Sequence, residues 1–158
     1  MNTLVIYDSF FGNTEQIAQA IGKAMPLPDQ VEICRVSEVK PGQLAGSKLL
    51  IVGSPTRGFR PTPAIAELLK NLPASALEGV KVAAFDTRIA TSDIKSGALR
   101  LMVNLGGYAA APIATALKKK GGVLVVPPEG FFVQDQEGPL KPGELERAAS
   151  WARQLSFE

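Results

Sequence analysis

The stretch Leu4-Val5-Ile6-Tyr7-Asp8-Ser9-Phe10-Phe11-Gly12-Asn13-Thr14-Glu15-Gln16-Ile17 begins as a short β-rich run and ends as a helix. Ile17, Ala20, Ile21, Ala24 and Met25 recur at helical spacing beyond it, so the segment Ser9 to Thr14 is a turn between a strand and a helix N-terminus. The first N–H groups of such a helix have no intrahelical partners and carry the positive pole of its dipole. Ser9 and Thr14 add hydroxyl donors, and Gly12 lets the backbone approach closely, which makes the turn a phosphate-binding candidate. It contains no Lys or Arg. An anion there is held by dipoles and hydrogen bonds, unlike one in a lysine-bearing P-loop, whose Gly-Lys-Ser/Thr ending is absent. The turn also lacks GxGxxG, which argues against an ordinary NAD site. The competing reading is a plain capped helix, with Asn13 and Gln16 as a capping pair.

The same alternation continues along the chain. Leu4 to Tyr7, Val31 to Val36, Leu49 to Val52, Val80 to Phe85 and Val123 to Val126 read as five strands, the central ones almost continuously apolar, as expected of parallel strands covered on both faces. Helices follow the first turn, begin near Pro63, run from Ala109 to Lys120, and close the chain from about Gly143 to Leu155. The last of these carries a stripe of Leu145, Ala148, Ala149, Ala152 and Leu155. Parallel neighbours need right-handed crossovers, so the expectation is an α/β fold: a three-layer, doubly wound, five-stranded parallel sheet in a single domain spanning residues 1–158. Ligands in such a fold sit beyond the strand C-termini. Between the fourth strand and the next helix, residues 93–108 place Ile94, Ala98, Leu101, Met102 and Leu105 on one helical stripe. That stripe is either extra core or a dimer-facing helix through which the chain forms a homo-oligomer.

Composition narrows the chemistry. Histidine is absent from the 158 residues, which rules out His-based triads, His general bases and His-containing metal sites, and leaves the chemistry to a cofactor. The single cysteine, Cys34, excludes an internal disulfide, suits a reducing compartment and reads as strand packing. A formal charge of +2 is too small to argue for nucleic acid. Lys118-Lys119-Lys120 before Gly121-Gly122 reads as a helix C-terminus whose cations complement the dipole. Met1-Asn2-Thr3 leads straight into a strand, and no apolar stretch is long enough to span a bilayer, so the expectation is a cytoplasmic protein that engages neither membrane nor nucleic acid.

Three strand-end segments converge in this architecture: Ser9 to Thr14, then Ser54-Pro55-Thr56-Arg57-Gly58-Phe59, then Asp86-Thr87-Arg88-Ile89. At these residues the chain resembles the flavodoxin family. Tyr7-Asp8-Ser9 with Gly12-Asn13-Thr14-Glu15 is similar to its FMN phosphate loop, and Val52-Gly53-Ser54-Pro55-Thr56 to the loop beside the flavin ring. Phe131-Phe132-Val133 with Glu146-Arg147 and Trp151-Ala152 is similar to the last strand and helix. The resemblance spans nearly the whole chain.

The resemblance implies FMN as cofactor, with Ser9, Phe10, Phe11, Gly12, Asn13 and Thr14 around its phosphate. It places Pro55, Thr56, Arg57, Gly58, Phe59, Asp86, Thr87 and Arg88 around the rest. Phe11 stands where the family usually has a hydroxyl residue, which removes one hydrogen bond to a charged group, worth roughly 1.5 to 3 kcal/mol. Arg57 stands where a Trp is frequent, and no tyrosine closely follows Asp86, which leaves Phe59 and Tyr108 as the candidates for the two faces of the ring. Gly58 is either a plain turn glycine or one whose peptide reorients to face the reduced flavin. Pro55-Thr56-Arg57 also resembles the flavin loop of FMN-dependent quinone reductases of the tryptophan-repressor-binding-protein type.

Arg57, Arg60 and Arg88 cluster near the expected ring edge. A cation about 6 Å from an anionic reduced flavin is worth on the order of 2 to 3 kcal/mol at an effective dielectric near 20, so a reduction potential less negative than is typical of the family is expected. If these arginines instead pair with Asp86 and Glu67, the effect disappears. Asp8 reads as a loop-ordering residue. The leading functional expectation is an FMN-binding redox protein that carries electrons between partners, a protein or a small-molecule quinone. The alternatives are an FMN-dependent NAD(P)H or quinone oxidoreductase and a flavin-free binding module on the same fold.

Overall fold

The computed structural model describes residues 3–40, 42–90, 97–98 and 107–155. Its strands are β1 (Thr3–Tyr7), β2 (Val31–Arg35), β3 (Leu49–Pro55), β4 (Lys81–Ile89), β5 (Val123–Leu124) and β6 (Glu129–Val133). Its α-helices are α1 (Asn13–Ala24), α2 (Pro63–Lys70), α3 (Ala110–Lys119) and α4 (Glu144–Leu155). The strands form one parallel sheet in the order β2-β1-β3-β4, with β5 and β6 both on the free edge of β4. Strand side chains alternate between two apolar layers. Leu4, Ile6, Leu50, Val52, Val82 and Ala84 pack with Ile65 and Leu69 of α2 and with Ile113 and Leu117 of α3. Val5, Tyr7, Ile51, Ala83 and Phe85 pack with Ile17 and Ile21 of α1 and with Trp151 and Leu155 of α4. The expected three layers are therefore present, with two of the described helices on each face.

Two expectations and one competing reading need correction. The fifth strand does not run through Val126. β5 pairs only with Lys81 and Val82, and the edge resumes at Glu129 opposite Phe85, so four residues on the edge, 125–128, lie against two on β4, Ala83 and Ala84. Pro127 and Pro128 lie in that excess; they have no N–H to give the ladder, so the chain bulges around them. The buried stripe of α4 is also rotated from the expected one. Leu145 is exposed, whereas Glu144, Ala148, Trp151, Ala152 and Leu155 face inward. Glu144 turns in because the Phe132 N–H (2.7 Å) and the Arg147 guanidinium bind its carboxylate. Finally, Asn13 and Gln16 are not a capping pair. The N-cap of α1 is Gly12, at φ 90° and without a side-chain cap, while the Asn13 side chain donates to the Glu137 carbonyl at 3.2 Å.

Other local readings hold. Thr62 caps α2 ahead of Pro63, its hydroxyl accepting from the Ile65 N–H at 3.4 Å. Lys118 and Lys119 lie in the last turn of α3, which closes with Gly122 N–H donating to Leu117 O and Gly121 N–H to Lys118 O, both at 3.1 Å. Cys34 is buried on β2, and burial pushes its thiol pKa up. The stripe assigned to 93–108 lies outside the described residues, apart from Gly97, Ala98, Gly107 and Tyr108. β3 and β4 extend beyond their apolar runs, with Ser54 beside Asp86 and Pro55 beside Thr87, and these polar extensions carry the sheet into the functional region.

Candidate functional site

A cleft of about 680 Å³ opens at the C-terminal ends of β1, β3, β4 and β6. Ser9, Phe10, Phe11, Asn13 and Thr14 form one wall, Pro55 to Gly58 another, and Thr87, Arg88 and Ile89 the floor between them. The remaining wall is Val133 to Gln136, which the sequence reading did not select. Val133 ends β6 and Gln134 to Gln136 form a polar turn with no motif, and only the pairing register against β4 brings them to the cleft. The register predicts this from Phe131-Phe132-Val133 once β6 is aligned with Thr87 to Ile89.

The anion nook lies where β1 hands over to α1. The helical ladder starts with Gln16 N–H donating to Gly12 O (3.0 Å), so the N–H groups of Asn13, Thr14 and Glu15 precede it. Gly12 sits at φ +90°, a conformation that costs an L-residue about 1 to 2 kcal/mol. Ser9 Oγ accepts from the Gly12 N–H at 3.1 Å, which leaves its own hydrogen to donate outward. Thr14 Oγ1 and Thr87 Oγ1 stand 2.7 Å apart; one hydrogen joins them and the other is available to a ligand. Asp8 holds the loop from behind: its carboxylate accepts from the Ser9 N–H (2.9 Å) and the Thr62 hydroxyl (2.6 Å), tying the loop to the N-cap of α2. Arg35 braces the outside, donating to Ser9 O at 2.8 Å and to Glu15 at 3.3 Å. Tyr7 belongs to the same brace. Burial and then its hydrogen bond to Glu15 push its phenol up to about 12.

The second loop is a tight hairpin in which Arg57 and Arg60 exchange backbone hydrogen bonds at 2.8 and 3.1 Å. Its two turn residues, Gly58 and Phe59, lie at φ 56° and 70°, the signs a type I′ turn demands. A phenylalanine in that region is strained, by about 1 to 3 kcal/mol. Phe59 does not line the cleft. It borders a separate depression with Pro61, Pro63 and Pro112 at the starts of α2 and α3. Phe10 and Phe11 are the aromatic residues lining the cleft among the described residues, 54% and 46% exposed.

Asp86 lies beneath the cleft, fully buried. Its carboxylate takes two bonds from the Arg88 guanidinium, both 2.7 Å, and one from the Ala110 N–H at 2.8 Å. Burial pushes the Asp86 carboxyl up against the pull of those donors. Arg88 also stacks on Tyr108, 3.8 Å from the ring centroid, while the Tyr108 hydroxyl donates to Ile89 O. Tyr108 is therefore engaged by Arg88 and does not line the cleft. Of the three arginines expected to cluster, Arg88 is neutralised by Asp86. Arg60 makes no ion pair with Glu67 among the described residues, and Arg57 lies over Phe10 and Phe11.

The donor set at α1 suits an anion, and the volume falls within the roughly 300 to 1,000 Å³ of cofactor pockets. No protein-family model matches the chain, and no curated protein sequence matches it. Solved structures do. A flavodoxin from the domain Archaea superposes with a TM-score of 0.76 at 19% identity, over 99% of this chain and 97% of that one. Oxidised flavodoxin 1 from Bacillus cereus gives 0.75 at 14% identity, over 100% and 99%. A flavodoxin, WrbA-like protein from Agrobacterium tumefaciens gives 0.71 at 15%, over 99% and 95%. Similarity over nearly whole chains on both sides, together with the observed strand order and helix placement, shows that this chain has the flavodoxin-like fold.

Proposed function

We propose that the chain binds FMN in the cleft and carries electrons between a donor and an acceptor, a redox protein or a small-molecule quinone. The observation that carries this reading is the continuity of the cleft, from the unladdered amides of α1 to the Pro55–Gly58 and Thr87–Ile89 segments. In that arrangement the amides of Asn13 and Thr14, with the Ser9 hydroxyl and the one free hydrogen of the Thr14–Thr87 pair, hold the phosphate. Backbone around Thr56 to Gly58 borders the ring, and Asp8 and Asp86 keep the two polar loops in place. Bound FMN supplies reversible uptake of one or two electrons; the residues bind it, orient it and limit its contact with water.

Titration of the apoprotein with FMN, followed by quenching of flavin fluorescence, tests the reading. Saturable binding at micromolar concentration or below is expected, and Thr14→Ala, which removes a hydroxyl from the charged group's shell, weakens it by about tenfold. Absence of binding at that concentration overturns the reading. The loaded protein is expected to accept electrons from a chemical reductant without sustaining NADPH oxidation in the presence of a quinone; steady turnover there moves the assignment to an oxidoreductase.

A further inference from the structure

The loop that would hold the phosphate has no cation of its own, and two of the basic side chains around it are spent elsewhere. Arg35 is committed to Glu15, Ser9 O and the Tyr7 ring on the outer flank, and Arg88 to buried Asp86. Arg57 differs. It lines the cleft and makes no ion pair among the described residues. Its guanidinium carbon lies 5.0 Å from the centroid of Phe10 and 5.9 Å from that of Phe11, the two exposed rings of the phosphate loop itself. The Arg57–Arg60 backbone bridge fixes the hairpin that carries this side chain just beyond β3. A cation seated over aromatic faces is held by the ring quadrupoles while remaining available to an anion. Phe10 and Phe11 thus bring a charge to a loop in which they contribute no hydroxyl.

Building on the reading under Proposed function, we infer that Arg57, seated on Phe10 and Phe11, supplies the counter-charge for the phosphate bound at the N-terminus of α1 and makes the cleft select phosphorylated over unphosphorylated flavin. The Arg57 side chain then reaches the phosphate from the second loop, while the backbone that carries it borders the ring.

The test compares FMN with riboflavin, which has the ring and no phosphate, by titrating apoprotein of the wild type, Arg57→Gln, Arg57→Lys and the Phe10→Leu/Phe11→Leu pair. Arg57→Gln is expected to weaken FMN by about tenfold, the scale of one charge-assisted contact, and to leave riboflavin within about twofold. Arg57→Lys keeps the charge and falls between. The leucine pair weakens FMN without affecting riboflavin, because the cation loses its seat. Wild-type affinity for FMN also drops more steeply than that of Arg57→Gln as ionic strength rises from about 0.02 to about 0.5 M. Equal loss of both flavins in Arg57→Gln places the side chain against the ring and overturns the inference, as does an unchanged FMN affinity. A wild type that binds neither flavin instead overturns the cofactor reading on which the inference stands. Arg57 is exposed, and far-ultraviolet circular dichroism confirms that each variant is folded before its affinity is read.

Discussion

Glu144 opens α4 as a carboxylate, yet only 9% of its side chain meets solvent. Burial alone pushes its carboxyl up, but the Arg147 guanidinium and the Phe132 N–H outweigh that push and hold it below its ordinary value of 4.5. Arg147 in turn lies over Phe131 and Phe132 and donates to Gly130 O, so one acid and one base fasten β6 to α4. Because the folded form binds its proton less readily than the unfolded form, the stabilisation is complete above pH 4.5 and is lost as pH falls through the depressed folded value. Glu144→Gln is expected to lower unfolding stability at neutral pH by about 1.5 to 3 kcal/mol, the range for hydrogen bonds to a charged group. It should also flatten the acid-side decline. Urea unfolding midpoints of both proteins, followed from neutral pH to below pH 4.5, check this, and parallel pH profiles would show that Glu144 does not drive the decline. In sequence, Glu144 is a plain helix-start acid. Its inward turn depends on Arg147 one turn later and on a strand N–H that no local pattern announces.

The strands β3 and β4 show which parts of an element were legible and which were not. Their apolar runs, Leu49 to Val52 and Val82 to Phe85, carry residues buried on both faces, and that continuity is visible in the chain itself. Beyond those runs Ser54, Asp86, Thr87 and Arg88 are polar and Pro55 is a proline, and backbone pairing rather than composition keeps them in strand form, so Pro55, Asp86, Thr87 and Arg88 read as loop residues although they belong to the sheet. The split edge was hidden for the same reason. Val123 to Val126 has the composition of a strand, but the prolines behind it move the pairing to Glu129–Val133. The sign of φ is equally silent in composition: Phe59, expected beside the flavin ring, stands at φ 70° and borders the depression with Pro61, Pro63 and Pro112.

Gly53 gives this layer its sharpest requirement. A Cβ there would stand 2.0 Å from Phe85 Cζ, because the Phe85 ring crosses the glycine to meet Phe131 and Trp151 edge-on at centroid distances of 6.1 Å each. Gly53→Ala therefore evicts the ring from its site and is expected to cost about 1 to 3 kcal/mol or more, as overpacked cores do. Trp151 is the single tryptophan, so its emission reports the displacement while thermal unfolding reports the cost. An unchanged spectrum together with an unchanged midpoint would show that the layer absorbs the methyl group.

Across the molecule, the cleft draws its walls from four strands that lie side by side in the sheet but far apart in sequence, and among the described residues few polar contacts join those walls. Thr14 meets Thr87 across the β1 and β4 ends, Asn13 meets Glu137 beyond β6, Thr56 N–H donates to Thr87 O, and Asp8 reaches Thr62. A ligand that touches all of these walls links them, and folding is then coupled to binding by mass action. With FMN at about a hundred times its Kd the folded state gains about 2.7 kcal/mol. For a chain of this length that raises Tm by about 5 to 11 °C. Riboflavin, which cannot occupy the amides of α1, is expected to give a smaller shift at equal concentration.

The distribution of the gain separates local from global effects. Amides at the start of α1 owe their exchange to local opening and are expected to slow markedly on FMN binding, beyond the slowing of amides that exchange only through global unfolding in buried β1. Hydrogen exchange with and without FMN measures both groups in one experiment. If FMN protects β1 while the amides of Asn13 and Thr14 exchange as before, the phosphate lies elsewhere, and the anion nook at α1 is not where the ligand is held.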